Sequence, residues 1–250
     1  MSERWVSGSQ LKRALVCPAS LVLKRSRKAF SKNATKAADF GTLAHEYVEH
    51  GKVYPETEEW CSRFDRNRYY PSKGLHETIG WYNPESGEYG LKPPGEEVRQ
   101  HRDYDFLPES CIVGTIDFMC PLKDGRWWVD DLKTGAGMFV PKPDSAQMWL
   151  AATIIGKVFD VDVLSTITHI PHYPKGTEPD RKRRDFTRKN FDTFEKRLDA
   201  LYESYRGQKQ RLEVGESLTY VKNDECKFCP SRFFCPIGQK VEAERQARTK

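Results

Sequence analysis

Asp117, Asp131 and Lys133 fall in residues 111–135, CIVGTIDFMCPLKDGRWWVDDLKTG. Two carboxylates brought to about 4 Å repel by roughly 4 kcal/mol at an effective dielectric of 20. Protonation of one acid, the ammonium of Lys133 or a divalent cation can offset that repulsion. Oxygen ligands from two aspartates suit Mg²⁺ or Mn²⁺ better than a soft metal. A cation so placed polarises a phosphoryl oxygen and lowers the pKa of a bound water. The lysine then orients that water or stabilises charge developing on phosphate. The pattern therefore points to metal-assisted hydrolysis, provided that the three groups converge.

Convergence depends on the elements that carry them. Residues 112–122 and 126–132 are rich in β-branched and aromatic side chains, with Lys123, Asp124 and Gly125 between them as turn residues. A two-residue loop, Asp124-Gly125, would set Asp117 opposite Leu132 and send the two aspartates to opposite faces. A three-residue loop with Gly125 in the left-handed conformation sets Leu122 opposite Arg126 and Asp117 opposite Asp131. Period-two alternation then adds Lys133 to that face. The expected register is the second, with Ile116, Phe118, Cys120, Trp128 and Leu132 forming a core on the other face. Asp130, one residue out of phase, is expected to point away from Asp131.

GTIDFM followed by WVDDLKTG resembles the core of the PD-(D/E)xK nuclease superfamily, in particular its RecB-type branch. There the second motif commonly reads Asp-aromatic-Lys-Thr-Gly, here Asp131-Leu132-Lys133-Thr134-Gly135. The resemblance implies a restriction-endonuclease-like α/β fold, a mixed sheet flanked by helices. It implies Asp117 and Asp131 as metal ligands, the Leu132 carbonyl as a third, and Lys133 as the catalytic lysine. Residues 33–50 read as a helix interrupted near Gly41, with an apolar stripe from Phe40, Leu43, Ala44, Tyr47 and Val48. His45 lies beside that stripe, where a histidine alone reads as structural. Gly41-Thr-Leu-Ala-His45-x3-Glu49 is, however, similar to the RecB-type motif whose histidine completes the metal shell, so the resemblance makes His45 a ligand. Its imidazole would favour Mn²⁺ over Mg²⁺. Residues 141–159 read as a helix begun by Asp144 or Ser145, with Gln147 in its first turn. The family often carries Gln-x3-Tyr here, both near substrate; this chain keeps Gln147 and has Ala151 at the tyrosine position.

The chain holds seven cysteines. Cys226, Cys229 and Cys235 form a C-x2-C-x5-C run flanked by prolines, the kind of segment that wraps a metal or an iron–sulfur cluster. A short capped helix beginning at Ser7 or Ser9, with Leu11, Ala14 and Leu15 on one face, ends at Cys17-Pro18. One cysteine before the core and three after it also resembles RecB-type nucleases of the AddB kind, which carry a [4Fe-4S] cluster. By that resemblance Cys17 is the fourth ligand and the cluster is a structural clasp. Zinc at the same four thiolates is the competing reading, because thiolate spacing does not separate the two. Joining Cys17 to Cys226 would close a loop of 226 − 17 = 209 residues, a restraint on the order of 5 kcal/mol for an ideal chain.

At 250 residues and a net charge of +5, the chain can bury one substantial core, and its mild charge permits nucleic-acid binding without demonstrating it. The expectation is one nuclease domain, 1–250, with a core at about 30–220 and a charged, frayed tail at 236–250. No apolar run is long enough to span a bilayer and no secretion signal is legible, so a cytoplasmic protein without membrane partners is expected. Arg181, Lys182, Arg183 and Arg184 form a basic cluster without an apolar face, either a solvated loop or a DNA phosphate-contact surface. Residues 51–95 are the least readable, and residues 96–106 read as the strand before the hairpin, with Glu97 as a further acid. Residues 162–170 alternate as a strand, and the periodicity from Thr187 predicts a long amphipathic helix. The function expected is a divalent-metal-dependent DNA exonuclease, possible partners being recombination, repair or replication proteins. A structure-selective endonuclease, and a cluster-bearing DNA-binding subunit with an idle site, are the alternatives.

Overall fold

The computed structural model describes residues 6–23, 32–92, 104, 106–134, 141–171 and 179–247, with backbone alone for 32–38. Its centre is a six-stranded mixed sheet. In chain order the strands are β1 (Leu75–Asn83), β2 (Glu88–Lys92), β3 (Ile112–Pro121), β4 (Trp127–Lys133), β5 (Val163–His169) and β6 (Asp180–Phe186). Across the sheet they run β2-β1-β3-β4-β5-β6, antiparallel except for the β4–β5 pair. The helices are α1 (Gly8–Ala14), α2 (Ala19–Val22), α3 (Lys32–His50), α4 (Glu58–Cys61), α5 (Arg66–Tyr69), α6 (Ala146–Phe159), α7 (Arg188–Glu213) and α8 (Pro236–Ala247). No helix among the described residues is long and apolar enough to cross a membrane.

The hairpin has the three-residue loop. The Leu122 amide donates to the Arg126 carbonyl at 2.8 Å, and Gly125 takes φ +85°. The pairs Phe118–Asp130 to Pro121–Trp127 fix the register that brings Asp117 level with Asp131. Because β4 and β5 are parallel, the chain must cross over between them, and the crossover is α6. Ser145 caps α6 by accepting from the Met148 amide at 3.4 Å. Helix α6 is buried along Met148, Leu150, Ala151, Ala152, Ile154 and Ile155, where it packs on one sheet face together with α1 and α7. Phe191 of α7 packs against Gly156, where a Cβ would fall 2.0 Å from the ring. The other face is covered by α3 and α4, whose Phe40, Ala44, Val48 and Trp60 pack on Phe118, Cys120, Trp128 and Leu132.

Several expectations need correction. Helix α3 runs through Gly41 without interruption. The strand antiparallel to β3 on its outer side is β1, from the stretch that looked least readable. Residues 96–103, including Glu97, lie outside the described residues. Of the aromatics in that stretch, Trp60, Tyr70 and Tyr82 are core residues. Ile116 does not share a face with Phe118: it packs with Met119 and Val129 toward α6. The cause is a break in the β1–β3 ladder, whose register omits the pair Glu77–Asp117 while Glu77 takes φ +46°. Alternation is lost across that break, and a non-glycine residue held in the left-handed region is a strain commonly found at functional sites. The segment after Cys235 forms α8, and the basic cluster lies on strand β6.

Candidate active site

The ladder break is where the charges meet. Asp117, at the break, accepts from the Leu132 amide through Oδ2 at 2.8 Å. From α3, His45 Nε2 lies 3.8 Å from the same oxygen, and His45 Nδ1 lies 3.1 Å from Glu77 Oε1. One atom from each of His45, Glu77 and Asp117 lies within 4.8 Å of the others, a group that could hold a metal ion. One imidazole nitrogen and two carboxylate oxygens suit a hard or borderline divalent cation. Asp131, level with Asp117 on β4, is 4 % exposed and is gripped by Lys133 Nζ at 2.7 Å and by Gln147 Nε2 at 3.1 Å. The α6 crossover thus places Gln147 beside the acid that the hairpin supplies.

The acids and the cations of the site shift one another. Burial and the neighbouring Asp117 charge push Asp131 up to about 6, against the pull of Lys133. Burial alone would lower His45, but Asp117 and Glu77 outweigh it and raise it to about 9. For Lys133, burial opposes the ammonium while Asp131 and Asp117 raise it further above its ordinary value. Asp130, 1 % exposed, faces away from Asp131 as expected. It accepts from Tyr70 at 2.6 Å, from Thr168 at 2.9 Å and from Thr166, and burial raises it to about 6. It ties β4 to β5 beneath the site.

These raised values give a signed expectation for the metal-free protein. A group whose folded pKa exceeds its unfolded value stabilises below the unfolded value, and that contribution is lost as pH rises through the folded one. Asp130 and Asp131 lose theirs between about 4 and 6, and His45 between 6.5 and about 9. The metal-free melting temperature should therefore fall from pH 4 toward pH 9 with respect to these groups. Mn²⁺ should raise it most at the alkaline end, measured by thermal scans with Mn²⁺ or a chelator.

Glu77 was not singled out in the sequence. Nothing in LHETIGWYN ties it to Asp117 until β1 is known to pair with β3. If it helps hold a cation, Glu77→Gln should weaken Mn²⁺ affinity by about 10- to 100-fold, read by titration calorimetry. An unchanged affinity would remove Glu77 from the site.

A family model described as the PD-(D/E)XK nuclease superfamily matches residues 6–236. The chain belongs to the PD-(D/E)XK nuclease superfamily. The six-stranded mixed sheet flanked by helices is the α/β fold expected of that superfamily, whose members are metal-dependent nucleases. No curated protein matches the chain. One solved structure, titled crystal structure of SSO0001, aligns over 94 % of this chain and 87 % of its own at 12 % identity, with a TM-score of 0.41.

The basic cluster of this PD-(D/E)XK chain is divided by its strand. Arg181 sits over Trp128 at 4.6 Å, Tyr69 at 5.3 Å and Tyr70 at 5.7 Å, and donates to Thr168 Oγ1 at 2.7 Å. Arg183 shares an open groove with Arg181, Trp128, Leu122 and Leu164. By alternation Lys182 and Arg184 face the other way.

The four cysteines named from the sequence line one cavity. Cys17 comes from the bend between α1 and α2, and the others come from the segment ahead of α8, in which a 3-10 turn spans Asp224–Phe228. Among the described residues no three of their sulfurs lie within 4.8 Å of one another. A single zinc ion with bonds of about 2.3 Å would draw four sulfurs to about 3.8 Å. Burial raises the Cys229 thiol, with Arg13 acting against it. Arg13 and Arg232 also line the cavity. Arg13 Nη2 and Arg232 Nε are buried without a hydrogen-bond partner, so the surroundings suit an anionic group such as a metal–thiolate centre.

Proposed function

We propose that this chain is a divalent-metal-dependent deoxyribonuclease that works as an exonuclease and carries a [4Fe-4S] cluster at Cys17, Cys226, Cys229 and Cys235. The observation that carries the nuclease reading is the meeting of Asp117 with His45 and Glu77 beside the Asp131–Lys133 pair. Asp117, Asp131, His45 and the Leu132 carbonyl would hold Mg²⁺ or Mn²⁺, with Glu77 added to that set. The cation supplies a polarised phosphoryl oxygen and a water of lowered pKa. Lys133 Nζ stays protonated at neutral pH and offers a fixed positive charge to the phosphate as negative charge develops. Gln147 holds the Asp131 carboxylate in place from α6. His45 must surrender its proton before its nitrogen can ligate, so metal affinity rises with pH toward about 9.

The support for a metal–thiolate centre is that the four cysteines line one cavity; the choice of an iron–sulfur cluster over zinc rests on the resemblance to the RecB-type branch. The exonuclease assignment rests on the resemblance to the RecB-type branch. End-labelled linear DNA and closed circular DNA, each with Mg²⁺, Mn²⁺ or a chelator, test it. Cutting of linear DNA alone supports the exonuclease, and cutting of both makes it an endonuclease. Binding without cutting under every ion overturns the enzyme. Iron, sulfide and zinc analysis of anaerobically purified protein decides the metal at the cysteines.

DNA contact on β6 falls to Lys182, Arg183 and Arg184, because Arg181 is committed to three rings and Thr168. Replacing Arg183 and Arg184 together by alanine should lower the slope of log affinity against log salt by about 2. Arg181→Ala should instead lower the melting temperature. A double variant with an unchanged slope would take β6 out of the interface.

A further inference from the structure

Among the described residues, four buried side-chain polar atoms lack a hydrogen-bond partner, and two of them belong to residues lining the cysteine cavity: Arg13 Nη2 and Arg232 Nε. Such orphans call for an explanation, because a buried donor without an acceptor is costly. The rest of each side chain is fixed. Arg13 Nε donates to Ser20 Oγ at 3.4 Å, and Arg232 Nη1 donates to the Cys229 carbonyl at 3.2 Å. Arg232 has a partial counter-charge in Glu242, whose Oε2 lies 3.5 Å from Nε outside hydrogen-bond geometry. No carboxylate lies within ion-pair distance of Arg13 among the described residues. A guanidinium stays charged at any working pH, so Arg13 brings an uncompensated positive charge to a wall shared with four thiols.

Resting on the reading that a metal–thiolate centre occupies this cavity, we propose that Arg13 is its counter-charge and Arg232 a second, weaker one. Four thiolates around Zn²⁺ or a [4Fe-4S]²⁺ core leave two negative charges in excess. A buried excess of that kind needs positive partners. Two guanidiniums in one wall supply them, and the unpaired Nη2 and Nε are the donors free to meet sulfur. Arg13 precedes Cys17 by one helical turn, so the same bend that delivers the thiol delivers the charge. For an iron–sulfur centre, a fixed positive charge favours the reduced form. For zinc it holds the ligands as thiolates and slows their protonation and loss.

The test compares wild type with Arg13→Met, Arg13→Lys and Arg232→Met, all purified anaerobically as the full chain. Metal and sulfide content, metal release to a chelator and a spectroscopic redox titration are measured on each. Arg13→Met should release metal about tenfold faster. If iron is present, its oxidised-to-reduced ratio at fixed poise should rise about tenfold, equivalent to about 59 mV for one electron. Arg13→Lys should restore most of both, and Arg232→Met should shift both by less. If Arg13→Met does not fold, Arg13→Gln is read in the same way, since it removes the charge and keeps donors. Release rate and potential equal to wild type in the charge-removing variant overturn the role of Arg13 while the centre stands. Wild-type protein without iron or zinc at the thiols overturns the centre, and this inference with it.

Discussion

Asp131→Asn should lower DNA cleavage by about a thousandfold or more while leaving DNA binding intact or slightly tighter. The substitution keeps the side-chain volume and the chance of hydrogen bonds to Lys133 and Gln147, which now lie at 2.7 Å and 3.1 Å. It removes the charge that, together with Asp117, a divalent cation would be needed to balance. Losing several kcal/mol of charge stabilisation corresponds to a rate loss of that size. With a chelator present, removing one negative charge beside bound phosphate does not weaken ground-state binding electrostatically, so binding is compared there. Stability moves the other way: Asp131 is raised to about 6, so its ionised form is a burden at neutral pH without metal. The metal-free variant should therefore melt higher than the metal-free wild type and respond less to Mn²⁺. Cleavage within tenfold of wild type would dismiss Asp131 from the site.

Cys229→Ser should remove the metal at the cysteines and most of the domain's stability with it. Cys229 is 7 % exposed. If the four thiols share a centre, losing one ligand releases a loop restraint on the order of 5 kcal/mol, against a typical total of about 5–15 kcal/mol. Cys120→Ser is the control, since Cys120 is 1 % exposed but packs in the core under α3. It should cost only the burial of a hydroxyl, about 1–3 kcal/mol, and keep the metal. Denaturant unfolding and metal analysis on both proteins decide the matter: equal losses in the two variants would mean that Cys229 is an ordinary core thiol.

What was legible in the sequence was what depends on neighbours along the chain. Lys123, Asp124 and Gly125 specify the loop, and the loop fixes the level of Asp117 and Asp131 through hydrogen bonds a few residues apart. Ser145 and the apolar run behind it announce α6, and Phe191 to Leu201 announce α7. What was hidden depends on contacts distant in sequence. The register of β1 on β3 brings Glu77 to Asp117 across 40 residues, and no local spacing encodes it. The loss of alternation at Asp117 arises from that same pairing, so Ile116 was assigned to the wrong face. Strand β6 has only Phe186 as a buried residue, and six charged positions in a row give no period to read. Its pairing with β5 decides its conformation.

The cysteine lobe joins the two ends of the described chain. Ser231 donates to the Ser20 carbonyl at 3.4 Å, and Lys12 pairs with Glu225 at 2.5 Å. During synthesis the first of these partners leaves the ribosome more than 200 residues before the last. The lobe is consequently assembled late: any cofactor that needs all four sulfurs can be loaded only after residue 235 has emerged, long after Cys17.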